Sequence, residues 1–193
     1  MRRRIAAALI AATSAVSAAA PASAAVITSA GAESPYSYQE YVAAADGREF
    51  PVELHGDVFP GASSDALAPA VLRIMDQARP ASPATRFARA GTMPAGSPDY
   101  RLVIVFGPAR NLSHHTLCAA PQKIAHEPVK EGQARLSIAF CRGTDLMSRA
   151  VATTAARNVD DPAFRQMFVE LFPVLFPKRN PFMNGRGSGF PRQ

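Results

Sequence analysis

The residues best suited to chemistry are few. Cys118 and Cys141 are the only cysteines of the 193-residue chain, and three of its four histidines, His114, His115 and His126, lie near the first of them. Two well-separated cysteines in a chain bound for an oxidising compartment favour a structural disulfide over a thiol nucleophile. A CxxC redox pair would need them adjacent in sequence. His114, His115, His126 and Cys118 form the one metal-like group. Adjacent histidines on a strand point to opposite faces, however, and a disulfide takes Cys118 away as a thiolate ligand. The plainer reading is solvent-exposed loop histidines. A Ser–His–acid set can be drawn from Ser113 and His114 with Asp145 or Asp99, but no G-x-S-x-G accompanies it, and a chain of this length supplies such triples by chance. Asp160-Asp161 is explained by helix capping, and Glu127 and Glu131 flank a turn, so no carboxylate pair suits glycosidic cleavage. Asn111-Leu112-Ser113 fits a glycosylation tripeptide and in a bacterial chain means only a surface loop.

The elements that must position these residues begin after an export segment. Residues 1–24 run from Arg2-Arg3-Arg4 through an Ala-rich apolar stretch to Ala22-Ser23-Ala24, the order of a secretory signal peptide. Its apolar run, Ile5 to Val16, is too short and alanine-rich to span a bilayer of ~30 Å hydrocarbon. No transmembrane segment is therefore expected. Cleavage after Ala24 avoids the Pro21 that would follow a cut at Ala20. Its removal lowers the formal charge from +6 to +3, and setting aside the basic tail 178–193 leaves about −1 on the body. The basicity belongs to the two ends, which argues against a nucleic-acid partner.

Within the mature chain, residues 25–47 read as a flexible arm, 48–177 as a single α+β domain and 178–193 as a disordered basic tail. Phe50, Val52 and Leu54 alternate as in a half-buried strand, with Pro51 placing it at an edge or at its own start. Leu67, Val71, Ile74, Met75 and Ala78 form one helical stripe, capped near Ser63–Asp65 and stopped by Pro80. Residues 79–99, with four prolines, read as a long connection. Tyr100–Phe106 is a near-continuous apolar run, as in a strand covered on both faces. A shorter strand is expected at 112–118, an alternating one at 134–141, and a weak helical pattern at 145–156. Phe164, Phe168, Leu171, Phe172 and Leu175 mark a last helix that Pro173 should end near Phe172. The fold class is α+β: a mainly antiparallel sheet of about four strands covered by two helices, with one disulfide.

The segments VELHGDVFPG, YRLVIVFGP, TLC, LSIAFCRG and DPAFRQMFVELFPVLFPKRNP together resemble an uncharacterised family of small exported bacterial proteins. Its G-x-x-F start, LC and FC cysteines and LFP-x-x-NP ending match about residues 50–181. The resemblance implies export and carries no activity. A more distant similarity, to small envelope-assembly domains that pair a sheet with two helices, concerns architecture only.

No cofactor motif is present. The expected function is a non-catalytic periplasmic or secreted domain that binds another envelope component, by a sheet edge or by the Phe-rich C-terminal segment. The alternatives are a hydrolase of unfamiliar type or a weak metal binder using the His114/His115 region.

Overall fold

The computed structural model describes residues 24–45, 47–91, 100–120 and 124–179; residues 1–23, on which most of the expected signal peptide falls, Asp99 and the residues beyond 179 lie outside them. Eight strands and four helices follow in the order β1 (Val26–Ala32), α1 (Tyr38–Ala45), β2 (Glu49–His55), β3 (Asp57–Phe59), β4 (Ala62–Ser63), α2 (Ser64–Ala78), β5 (Arg86–Arg89), β6 (Tyr100–Phe106), α3 (His114–Ala119), β7 (Ala134–Arg142), β8 (Asp145–Thr154) and α4 (Pro162–Leu175).

Six strands form one sheet in the order β1-β8-β7-β6-β2-β5, and β3 and β4 form a separate ribbon. The expectation of about four mainly antiparallel strands is thereby corrected to a mixed six-stranded sheet. β1, β8, β7 and β6 pair antiparallel, whereas β2 runs parallel to both β6 and β5. Parallel neighbours need a crossover, and α2 supplies it between β2 and β5. Pro51 does not confine β2 to an edge. The pairing with β6 begins one residue later, at Val52↔Leu102, so Pro51 stands at the start of that ladder.

β6 is interior, and its Leu102 to Phe106 are all fully buried. In β7, Leu136, Ile138 and Phe140 enter the main core while Ala139 and Cys141 face the opposite side. In the segment 145–156, residues 145–154 form a strand, β8, not a helix. Ser148, Ala150, Ala152 and Thr154 alternate into the buried side, but such small residues leave a faint strand signal, and alanine favours helices where pairing does not decide. Residues 112–118 are corrected the other way. In the short helix α3 the consecutive Leu117 and Cys118 both reach the sheet, which a strand would forbid by sending them to opposite faces.

Two segments read as irregular are structured. Residues 25–47 are not a flexible arm: β1 pairs with β8, α1 packs on the core, and Tyr36 and Tyr41 are almost fully buried. The proline-rich connection contains β5, which lies beside β2. The sequence signal was weak because β1 is made of small residues and β5 is only four long.

The main core lies between one face of the sheet and α2 and α4. Ser63 caps α2 by accepting from the Ala66 amide at 3.2 Å, and Asp161 caps α4 by accepting from Ala163 at 3.0 Å. α4 continues past Pro173 to Leu175, because the missing donor falls in the last turn while Leu171, Phe172 and Leu175 stay buried. Phe172 stacks on Phe87 with ring centroids 5.4 Å apart, and Phe176 meets Phe140 edge-on at 5.5 Å. The Phe-rich C-terminal segment is therefore core, and its phenylalanines are not free to meet a partner. Among the described residues, no helix is long and apolar enough to cross a membrane.

Candidate functional site

The back face of the sheet carries a smaller cluster of Val103, Val105, Leu117, Cys118, Ala139, Cys141 and Leu146 under α3. Here Cys118 and Cys141 stand at disulfide distance, with Cα atoms 5.5 Å apart and both side chains buried. The bond ties α3 to β7. Two charged networks flank it.

In the first, Arg149 of β8 forms an ion pair with Glu33 (3.4 Å) and donates to His114 Nδ1 (3.3 Å). An arginine can only donate, so Nδ1 accepts and the ring proton sits on Nε2. That Nε2 is buried without a hydrogen-bond partner. Burial first, then the charges of Arg149 and His115, lowers the pKa of His114 below 6.5, opposed by Glu33. His114 is thus a neutral imidazole locked against β8.

In the second network, Arg101 of β6 pairs with Glu53 at 3.0 Å and donates to the carbonyls of Gly143 and Cys118, each at 2.7 Å. His55 approaches the other Glu53 oxygen at 3.7 Å. Arg101 thereby joins three elements: β2, the β7–β8 turn and the C-terminal end of α3. Its side chain is mostly buried, where a hydrogen-bonded charge pair holds geometry that a neutral pair would not.

These contacts decide the chemistry read from the sequence. Ser113 occupies the N-cap position just before α3, exposed and making no side-chain cap. Asp145 pairs with Arg142 at 3.7 Å, not with His114. No serine–histidine–acid relay is assembled from Ser113, His114 and Asp145. His115 and His126 are exposed, and Cys118 is engaged with Cys141. Among the described residues, no three His, Cys, Asp or Glu side chains group closely enough to hold a metal ion. Glu127 accepts from the Arg110 amide at 3.3 Å, and Asp160 faces Arg73 at 3.8 Å. The α3 region is a structural clamp. Arg149, Glu33, Arg101 and Glu53, which form it, gave no motif; the plainest signal is Arg101, the single charge in the otherwise apolar strand β6.

The two sheet edges differ in a way that bears on binding. β5 is short and carries Arg86 and Arg89, a charged edge of the kind that resists further pairing. β1 is seven residues long, VITSAGA, with no charge and no proline. It lies at the end of the strand order, paired only with β8 among the described strands. Thr28, Ser29 and Ala30 are exposed, and Val26, 61% accessible, is the one exposed large hydrophobic among the described residues. A bulge between Ile27 and Ser29 bends the strand near its start and leaves Ser29 to Ala32 in regular register.

No family model matches the chain. No curated protein matches it in sequence either.

Proposed function

We propose that this chain is a non-catalytic exported domain of the periplasm or cell exterior that binds another envelope protein by strand addition along β1. The observation that carries the reading is the unprotected β1 edge, long, uncharged and open on one side. An extended segment laid along it would satisfy the edge's backbone donors and acceptors, and the small side chains of Ser29, Ala30 and Gly31 would let it approach closely. Seven residues of strand span about 23 Å, enough for a partner segment of five or six residues. The Phe-rich segment no longer competes as the docking surface, since its side chains fill the core. The rigid back face supports the same role: α3, the cysteine pair and Arg149 brace β8, the strand on which β1 is built.

The test is a photo-crosslinking side chain placed at Ser29 in the exported protein, expressed in the cells that make it, with exposed Glu131 as the control position. A discrete adduct from position 29 and none from 131 supports strand addition. Adducts from neither position, or equal adducts from both, would remove it.

A further inference from the structure

At the opposite end of the sheet from β1, a concavity of about 270 Å³ is lined by Gly47, Arg48, Glu49, Arg79, Ala84, Thr85 and Arg86. Three arginines, Arg48, Arg79 and Arg86, and a single acid, Glu49, stand in its described wall. Arg73, Arg89, Arg101, Arg142 and Arg149 each face a carboxylate. Arg48, Arg79 and Arg86 are paired with none among the described residues.

Arg79 is the least solvated of the three. Its Nη1 donates to the Pro80 carbonyl at 3.2 Å, while its Nε is buried without a partner. Tyr41, fully buried, leaves its hydroxyl unpartnered as well, close enough to Arg79 to feel that charge. The orphaned Arg79 donor and the exposed Arg48 and Arg86 leave the wall with three positive charges against one negative, and like charges gathered without a counter-ion repel one another.

We infer that this concavity binds a phosphoryl-type oxyanion, with Arg48 and Arg86 as the outer forks and Arg79 as the inner one. A guanidinium presents paired donors that match two oxygens of such a group, which a lysine would not do. The volume accommodates one or two phosphoryl groups and leaves the rest of the ligand in solvent. The site is independent of the β1 edge and stands whether or not that edge binds a strand.

The test is a titration of the isotope-labelled mature chain with sodium pyrophosphate at constant ionic strength, following the amides of Gly47, Arg48, Thr85 and Arg86. Saturable shifts confined to these residues are expected. In the Arg48→Gln/Arg86→Gln double variant, whose changes are on exposed side chains, binding should weaken at least tenfold with an unchanged melting temperature. Flotation with phosphatidylglycerol vesicles, against phosphatidylcholine, separates the sources: pyrophosphate binding without flotation indicates a soluble phosphate ester, and both together a lipid headgroup. Shifts that never saturate, double-variant binding within twofold of the parent, or flotation without pyrophosphate saturation would each overturn the inference.

Discussion

Replacing both cysteines, Cys118→Ala with Cys141→Ala, probes how much of the back face depends on one covalent link. The two residues are 23 apart in sequence and close a loop that runs from the C-terminal end of α3 through nearly all of β7. In the chain-entropy treatment a loop of this length restricts the unfolded ensemble by roughly 3.5 kcal/mol. Two buried sulfur atoms are also lost from a cluster of only seven buried residues, adding on the order of 1 kcal/mol. For a domain of this size each kcal/mol moves the melting temperature by about 2–4 °C, so the double variant should melt roughly 9–18 °C lower. Urea unfolding followed by circular dichroism, with and without reductant, measures it. The parent in reductant should approach the variant, and reductant should leave the variant unmoved. A loss under about 1 kcal/mol would refute the reasoning, because it would mean that Arg101 and Arg149 hold α3 without the cysteines.

Three further outcomes follow from the same contacts. Phe172→Ala, which vacates the site between Phe87, Phe168 and Phe176, should cost about 3–5 kcal/mol in equilibrium unfolding. Gly56 has φ +79° and an added Cβ would lie 2.2 Å from the Phe106 carbonyl, so Gly56→Ala should destabilise by about 2–4 kcal/mol, read by the same denaturation. His114 titrates below 6.5 when folded, so the unfolded chain takes up this proton first as pH falls; its contribution is complete above about pH 6.5 and declines below it. His114→Gln should flatten that part of the stability–pH curve, and an unchanged slope below pH 6.5 would count against the buried neutral imidazole.

Much of the core was legible because its residues are large. Leu136, Ile138 and Phe140 alternate in bulk, and Phe164, Phe168 and Phe172 recur at helical spacing, so burial and period pointed to the same elements. Ser29-Ala30-Gly31 and Ala150-Val151-Ala152 sit in strands but carry too little apolar surface to declare it. Their conformation comes from pairing, β1 on β8 and β8 on β7, a relation between distant segments that no local pattern contains. The same holds for the clamp. Cys118 and Cys141 were visible as a pair from their number alone, whereas Arg101 and Glu53 become partners only through the parallel register Glu53↔Val103 that brings β2 beside β6. The open β1 edge was invisible for a similar reason, since a strand's place in a sheet is a property of topology.

Amide hydrogen exchange of the labelled chain, alone and joined to whatever partner position 29 captures, tests strand addition most directly. The β1 amides that face away from β8 should exchange freely in the isolated protein and slow by more than tenfold in the complex, while those of β5 stay unchanged. Protection that appears at β5 or α3 with β1 unaltered would contradict it.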